Sequence, residues 1–260
     1  MKPTIDTITP MNLANQLNAA EAIKDDGATA NYSEAYFDAL YEGNKDPWHY
    51  QTRWYEKRKR DICLSLLPQS QYKRGIELGC GNGVFSELLA SRCQSLVSID
   101  GNRQAVSLAK QRLAKAYHAK VIHGIIPDIF STLPKTLLQN GAPTNNSLQP
   151  TFDLMVISEI LYYLSATDID IVIAWVQKHL AVGGTLLCCH WRYEIDGFDM
   201  TGARVHERLQ NAFNLPASIE PNQKTPQAVF THQSCLVDRD FLLDVWQNTL
   251  SSVAEQENLV

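Results

Sequence analysis

Glu77, three glycines and Asp100 have the types and the spacing of a binding site for a small molecule. Glu77 precedes Gly79, Gly81 and Gly83, and a segment with helical periodicity begins directly after them. Glycines at a strand-to-helix turn permit close approach of a ligand, and free N–H groups there favour polar or anionic groups. Asp100 follows about 20 residues later, at a predicted strand end, where a carboxylate accepts hydrogen bonds from both hydroxyls of a ribose. The pattern therefore predicts a site for a nucleoside-containing cofactor.

The acid before the glycines separates two cofactor classes. Dinucleotide sites prefer the pattern G-x-G-x-x-G, whose N–H groups bind a pyrophosphate. The pattern here is E-x-G-x-G-x-G, and a carboxylate at Glu77 repels a pyrophosphate but suits a cationic ligand. A nicotinamide-dependent oxidoreductase is therefore disfavoured.

Alternating strands and helices must position these residues. Short apolar strands alternate with helical segments such as 103–117 and 168–180, the second ending at the pair Gly183–Gly184. This alternation predicts an α/β fold with a mainly parallel sheet covered on both faces. The last two strands are joined only by V-D-R-D, so they must pair antiparallel at the edge.

The sheet is expected to belong to one domain that spans residues 32–260. Residues 1–31 are polar and predict a flexible or loosely packed N-terminal arm. Residues 32–70 predict a helical lid with clustered aromatic side chains, and the Pro-, Gly-, Asn- and Ser-containing stretch 131–151 predicts an insertion.

Composition limits the classes of partner and compartment. The 260 residues carry a net charge of −5, which disfavours nucleic acid as the main partner. No apolar run approaches the roughly 20 residues of a membrane helix, and the start of the chain has no apolar leader, so we expect a cytoplasmic protein away from membranes. The six cysteines form no C-x-x-C, which favours reduced core thiols. The histidines at 49, 118, 123, 179 and 232 show no clustering that suggests a metal, so we expect a site without metal.

The segment E-L-G-C-G-N-G resembles motif I of class I S-adenosylmethionine-dependent methyltransferases. This resemblance implies a Rossmann-like, seven-stranded, mostly parallel sheet with a terminal antiparallel hairpin and helices on both faces. It also implies S-adenosyl-L-methionine as cofactor, S-adenosyl-L-homocysteine as product, and contact of Glu77 with the methionine amino group. Cys80 is expected in the turn as a small residue rather than as a catalytic thiol.

Further cofactor contacts follow from the same resemblance. Asp100 would hold the ribose, with Gly101 and Asn102 beside the adenosine, and Asp128 and Ile129 would contact the adenine. A capping or packing role is the alternative for each of them. The residues implied to bind the cofactor are Trp48, Glu77, Gly79, Cys80, Gly81, Asp100, Gly101, Asn102, Asp128, Ile129 and Ser158.

A closer resemblance covers roughly residues 34–250. The segment D-P-W-H-Y-Q-T-R-W-Y-E-K-R-K is similar to the block D-P-W-x-Y-x-T-x-x-Y-E-x-x-K of the nodulation protein S (NodS-like) family, and E-I-L-Y-Y-L, T-G-A-R-V-H-E-R-L and F-L-L-D-V-W are similar to later segments. Nodulation protein S itself N-methylates the deacetylated terminal glucosamine of a chitooligosaccharide, whereas its relatives are described more broadly. The resemblance implies a small-molecule acceptor with an amine nitrogen, such as an amino sugar. The chain departs from the family at 135–150 and at Arg53–Trp54, near the expected substrate entrance.

The reaction implied is in-line attack of a nucleophile on a sulfonium methyl group, in which positioning contributes much of the catalysis. The predicted catalytic residues are His190, which follows the fifth strand, and Glu159, at the neighbouring strand end; His206 is a further candidate, and Tyr162 is expected near the reaction. An oxygen or sulfur acceptor and a non-catalytic binding module remain alternatives, and we expect a monomer or a homodimer.

Overall fold

Residues 34–133, 152–214 and 229–260 are described by the structure, a computed structural model. The predicted arm at 1–31 and all but the start of the insertion at 131–151 lie outside the described residues, so these boundaries stay predictions.

A twisted sheet of seven strands forms the centre of the described residues, in the order β3-β2-β1-β4-β5-β7-β6. Strands β1 to β5 run parallel, and β7 pairs antiparallel with both β5 and β6. The predicted fold class is confirmed, including the antiparallel hairpin at the edge. Ligands of such sheets bind at the carboxyl ends of the strands where the strand order reverses, here between β1 and β4. The strands are β1 Gly75–Leu78, β2 Leu96–Asp100, β3 Ala119–His123, β4 Phe152–Ser158, β5 Leu180–Trp191, β6 Thr231–Val237 and β7 Phe241–Gln247.

Helices cover both faces of the sheet. One apolar core lies between the sheet and α1, α5 and α6, and the other lies between the sheet and α2, α3 and α4. No helix in the described residues is long and apolar enough to cross a membrane. The helices are α1 Glu34–Tyr41, α2 Trp54–Ser65, α3 Val84–Ala90, α4 Arg103–Arg112, α5 Ala166–His179, α6 Gly202–Phe213 and α7 Val253–Gln256, with 3₁₀ turns at Asp128–Ser131 and Leu161–Tyr163.

Two helix ends differ from the prediction. Helix α4 stops at Arg112 rather than at 117, because Leu113 leaves the helical conformation while its side chain stays buried in the core. Helix α5 ends at His179 and passes straight into β5, so Gly183 and Gly184 lie inside that strand and do not terminate the helix. There they exchange backbone hydrogen bonds with Asn248, which follows β7.

Gly83 sets the contact between α3 and α4. Its φ is +80°, and a Cβ there would lie 2.9 Å from both Cα and Cβ of Ala109 on α4. We expect Gly83→Ala to lower the free energy of unfolding by about 2–4 kcal/mol, because left-handed strain and overpacking add. Gly43, with φ +67° and no atom within 4 Å of the added Cβ, is the matched control and should lose only about 1–2 kcal/mol as Ala. Equal losses in urea titrations of the two variants would rule out the packing explanation.

Candidate active site

A cavity of about 860 Å³ opens at the carboxyl ends of β1, β2, β4 and β5. Helices α1 and α2 and the segment between them form its opposite wall. Its volume lies in the upper range of small-molecule sites, which leaves room for two ligands side by side. The predicted residues that line it are Trp48, Gly79, Gly81, Asp100, Gly101, Ser158, Glu159 and Tyr162.

The glycine turn contributes proximity rather than free N–H groups. The amides of Gly79 and Cys80 both donate to the carbonyl of Ile99, at 2.8 and 2.9 Å, and the amide of Gly81 donates to Asp100 Oδ2 at 2.8 Å. The expectation that these N–H groups are free for a ligand is therefore wrong. The turn needs a residue without a side chain, because a Cβ at Gly79 would lie 2.9 Å from the side chain of Ile160.

Asp100 lies on the cavity wall with both carboxylate oxygens oriented by the backbone. Oδ2 accepts from Gly81 N, and Oδ1 accepts from Asn102 N at 2.8 Å. Burial raises the pKa of Asp100, although these two hydrogen bonds oppose the shift. Each oxygen has a second lone pair, so the carboxylate has acceptor capacity for a pair of hydroxyl donors.

Glu77 lies beneath the turn in a side pocket of about 40 Å³ that shares residues with the main cavity, and Cys80 lines the same pocket. Its Oε2 accepts from Ser86 Oγ at 2.5 Å and from Ser98 Oγ at 2.8 Å. Burial raises the pKa of Glu77 to about 7, although both serine hydrogen bonds lower it. The serines were missed by the sequence analysis, although each is a polar residue in an otherwise apolar strand or helix face.

The aromatic segment between α1 and α2 is fastened to the glycine turn by Asp46. Its Oδ1 accepts from the amide of Tyr50 at 2.9 Å and from Asn82 Nδ2 at 3.1 Å. Trp48 stacks on Tyr50, with ring centroids 5.5 Å apart, and meets Tyr41 edge-on. All three rings line the cavity, so the segment forms a wall of the site.

A buried ion cluster joins α2 to the end of β4. Lys59 Nζ lies 2.8 Å from Glu159 Oε1 and 3.1 Å from Glu56 Oε2. Burial opposes the charge on Lys59, but the carboxylates of Glu159 and Glu56 together outweigh it and raise the pKa of Lys59. Glu159 Oε2 also accepts from the hydroxyl of Tyr162 at 2.5 Å and from Trp191 N at 3.0 Å. Glu159 therefore lies at the cavity as predicted, but as a carboxylate held by three donors.

His190 lies outside the cavity. Side chains alternate along β5, so that of His190 enters the core under α6, whereas Trp191 faces the cavity. His190 Nδ1 lies 3.1 Å from His206 Nε2, and the other nitrogen of His206 contacts Asp244 at 2.5 Å. Burial, followed by the charge of His206, lowers the pKa of His190 well below its usual value. The geometry therefore gives no support to contact of His190 with an acceptor.

Asp244 links the pair His190 and His206 to a third histidine. Asp244 Oδ1 lies 2.6 Å from His232 Nε2, which extends the chain from His190 to the edge strand β6. Ligand atoms of His232, Cys235 and Asp244 all lie within 4.8 Å of one another.

Three predicted cofactor residues line neither the cavity nor the side pocket. Asn102 caps α4 and donates to Asp38 Oδ1 at 2.8 Å. Asp128 is exposed at the start of a 3₁₀ turn, and Ile129 packs on Gly124. Their assignment to the cofactor stays a prediction.

The mouth of the cavity is acidic and aromatic. Glu194 and Asp196 are exposed just after β5, and Asp240 lies beside them between β6 and β7. The exposed ring of Trp54 also lines the cavity. Lining residues that the sequence analysis did not assign to the site are Tyr36, Phe37, Tyr41, Glu56, Lys59, Ile160, Tyr163, Trp191, Glu194, Ile195, Asp196 and Asp240. All of them except Trp191, the last residue of β5, lie in helices and loops, where spacing alone does not tell which face meets the sheet edge.

Comparisons with known proteins give a consistent result. The model of the methyltransferase domain family matches residues 76–186. Nodulation protein S of Sinorhizobium fredii is 32% identical over 207 residues, covering 75% of this chain and 82% of that protein. A putative methyltransferase structure from Pseudomonas syringae is 34% identical with a TM-score of 0.54, covering 75% of this chain and 99% of that one. The N-methyltransferase NodS of Bradyrhizobium japonicum with S-adenosyl-L-homocysteine is 23% identical with a TM-score of 0.59, covering 89% and 98%.

Proposed function

Because the chain belongs to the nodulation protein S family of S-adenosylmethionine-dependent methyltransferases, we propose that it methylates the amine nitrogen of a small molecule, such as an amino sugar. The observation that carries this proposal is the cavity mouth. Three carboxylates, those of Glu194, Asp196 and Asp240, stand there beside aromatic side chains. Negative charge and aromatic faces together favour a cationic or amine-bearing ligand.

The cavity residues fit the cofactor of this family. Asp100 offers acceptors to two ribose hydroxyls, Gly79 and Gly81 allow close approach, and Glu77 suits an ammonium group. The bound cofactor supplies an electrophilic methyl group on a sulfonium. The remaining volume faces Trp54 and the acidic mouth, where the acceptor is expected to lie.

Glu159 is proposed to act by its charge. As an amine nitrogen attacks a methyl group, positive charge develops on that nitrogen, and a fixed carboxylate nearby stabilises it. Lys59, Tyr162 and the amide of Trp191 hold Glu159 in one position. A neutral amine needs no strong base before it attacks, so the burial of His190 is compatible with this chemistry.

The acceptor class is tested by methyl transfer to a matched panel. We expect turnover with a hexosamine and with simple amines, and none above background with the corresponding N-acetyl sugar, a phenol or a thiol. The N-acetyl sugar is the sharpest comparison, because it keeps the ring and removes only the basic nitrogen. Turnover of the phenol or thiol without turnover of any amine would overturn the nitrogen assignment while leaving the methyltransferase in place.

Glu77 predicts a pH dependence of cofactor binding. Below pH 7 the ligand-free Glu77 is largely protonated, because its pKa is about 7, so a proton must leave before the carboxylate meets an ammonium. The affinity for S-adenosyl-L-homocysteine should therefore fall by about tenfold per pH unit below 7. Calorimetry from pH 5.5 to 8 measures it, with Glu77→Gln expected to show a flat profile. 5′-Methylthioadenosine, which lacks the amino-acid end, should also bind independently of pH; a slope for that ligand would place the titrating group elsewhere.

A further inference from the structure

Three side chains of metal-ligating types meet at the sheet edge formed by β6 and β7. His232 and Cys235 belong to β6, and Asp244 lies on β7 directly across from Cys235. The ligand atoms of the three residues lie within 4.8 Å of one another. None of the three lines the main cavity or the side pocket, so this cluster is separate from the candidate active site.

A β-bulge at Gln233 brings the histidine and the cysteine to one face of β6. In a regular strand, residues three positions apart point to opposite faces of the sheet. The register of β6 against β7 shifts by one residue at Gln233. Before the bulge, His232 lies opposite Trp246, and after it Cys235 lies opposite Asp244. Since Trp246 and Asp244 are two positions apart on β7, all four side chains share one face, which spacing along the sequence does not reveal.

The histidine and the carboxylate are held in place by the core. The ring of His232 stacks on that of Trp246, with ring centroids 4.9 Å apart. Asp244 is 1% exposed. Its Oδ2 is 2.5 Å from His206 Nδ1 and accepts from Gln210 Nε2 at 3.2 Å, while its Oδ1 is 2.6 Å from His232 Nε2. Outer-shell hydrogen bonds such as those to Oδ2 orient a ligating carboxylate.

The cluster is open to solvent on the side of β6. All six cysteines lie within the described residues, and Cys235 alone among them is exposed. The side chain of His232 is 26% exposed. An ion and a water ligand can therefore reach the cluster from solvent.

We propose that His232, Cys235 and Asp244 bind one Zn²⁺ ion, with water as the fourth ligand. Imidazole nitrogen, thiolate sulfur and carboxylate oxygen are all zinc ligands, and a thiolate disfavours Mg²⁺ and Ca²⁺. Tetrahedral bonds of about 2.0–2.3 Å separate ligand atoms by roughly 3.3–3.8 Å. That spacing lies between the 2.6 Å of the closest pair and the 4.8 Å within which all three ligand atoms fall.

The charges of the proposed site balance. The ion takes the place of the proton between His232 Nε2 and Asp244 Oδ1, and the thiol of Cys235 releases its proton to solvent on binding. A neutral imidazole, one carboxylate and one thiolate then neutralise a divalent cation. The ion joins the edge strand β6 to β7 and, through the contact of Asp244 with His206, to helix α6.

Cobalt is the spectroscopic probe of the site, because Co²⁺ accepts the same ligands and absorbs visible light. Protein treated with a chelator, and then freed of it, is titrated with Co²⁺ in a buffer with a thiol-free reductant. We expect one equivalent per chain, with tetrahedral bands in the visible and a thiolate-to-cobalt charge-transfer band in the near ultraviolet. Zn²⁺, which prefers tetrahedral sites, should displace the cobalt. A wild-type protein without the charge-transfer band would overturn the proposal.

Two ligand variants and one control locate the ion. Cys235→Ser should abolish the charge-transfer band, and both it and His232→Gln should weaken Zn²⁺ binding at least about 100-fold, because loss of an outer-shell partner alone costs about 10- to 100-fold. Competition with a chromophoric chelator measures the affinity. Both side chains are at least partly exposed, so the fold should tolerate either change, whereas Asp244 also contacts His206 in the core and is left intact. His118→Gln removes an exposed histidine next to β3, at the opposite edge of the sheet, and should keep the wild-type affinity.

Thermal melting shows whether the folded hairpin makes the site. Zn²⁺ should raise the melting temperature of the wild-type protein, because it binds the folded state, and should leave that of Cys235→Ser unchanged. Equal shifts in the two proteins, or an unchanged Zn²⁺ affinity in either ligand variant, would place the ion elsewhere and overturn the proposal.

Discussion

Asp100→Asn is expected to weaken the binding of S-adenosyl-L-homocysteine by at least about 100-fold. Two ribose hydroxyls that donate to one carboxylate are each worth about 1.5–3 kcal/mol. The substitution also disturbs the turn, because both oxygens of Asp100 accept from backbone amides, those of Gly81 and Asn102. An amide has one acceptor only, so its NH₂ group must face one of these two N–H donors. Ligand contact and preorganisation are therefore lost together.

Calorimetry of Asp100→Asn should be accompanied by Asp199→Asn. Asp199 is exposed and does not line the cavity, so its neutralisation should change Kd by less than about fivefold. A thermal melt of each ligand-free variant shows whether the fold is retained. A loss of less than about threefold for Asp100→Asn in a folded protein would remove the ribose assignment.

The part of the site that sequence predicts well is attached to strand ends. Gly79 directly follows β1, and Asp100 and Ser158 are the last residues of β2 and β4; parallel strands bring their carboxyl ends to one edge of the sheet. Backbone topology alone therefore placed these residues together. The antiparallel pairing of β6 and β7 could be predicted from the sequence equally well. A connection of four residues is too short for the crossover that two parallel strands require.

The part that sequence predicts poorly depends on where a side chain points. His190 ends up next to the correct strand end, yet the alternation along β5 sends it into the core and leaves Trp191 at the cavity. Lys59 lies in a strongly charged helix, K-R-K-R, in which the pattern does not tell which cation is buried. Lys59 is buried, with 4% exposure, because it pairs with Glu159 at the end of β4, a hundred residues away in the chain. Such pairings are tertiary, and no local spacing encodes them.

Lys59→Met is expected to have the second large effect, a loss of about 3–5 kcal/mol in the free energy of unfolding. The substitution keeps much of the side-chain volume but leaves Glu159 buried without a cation. Glu56 is left with Arg60 alone, whose Nη1 is 3.8 Å away. Urea denaturation measures it. The exposed pair Lys57–Asp61 on the same helix gives the control, and Lys57→Met should change stability by no more than about 0.5 kcal/mol. A comparable loss in both variants would show that helix α2, and not the buried cluster, is sensitive.

The pH dependence of Lys59→Met identifies the cause of the loss. Burial already raises the pKa of Glu56, and removal of Lys59 takes away the largest influence that lowers it. The folded variant then binds more protons than the unfolded chain above the ordinary carboxylate pKa, so its stability should rise as the pH falls from 7 towards 5. Adding Glu56→Gln should restore part of the stability at pH 7 and flatten this slope, because one buried negative charge is gone.

Methyl transfer should stay low in the double variant, since Glu159 still lacks the ammonium that holds it beside Tyr162. Recovery of stability without recovery of activity would separate the two roles of the cluster, whereas recovery of both would assign it to folding alone.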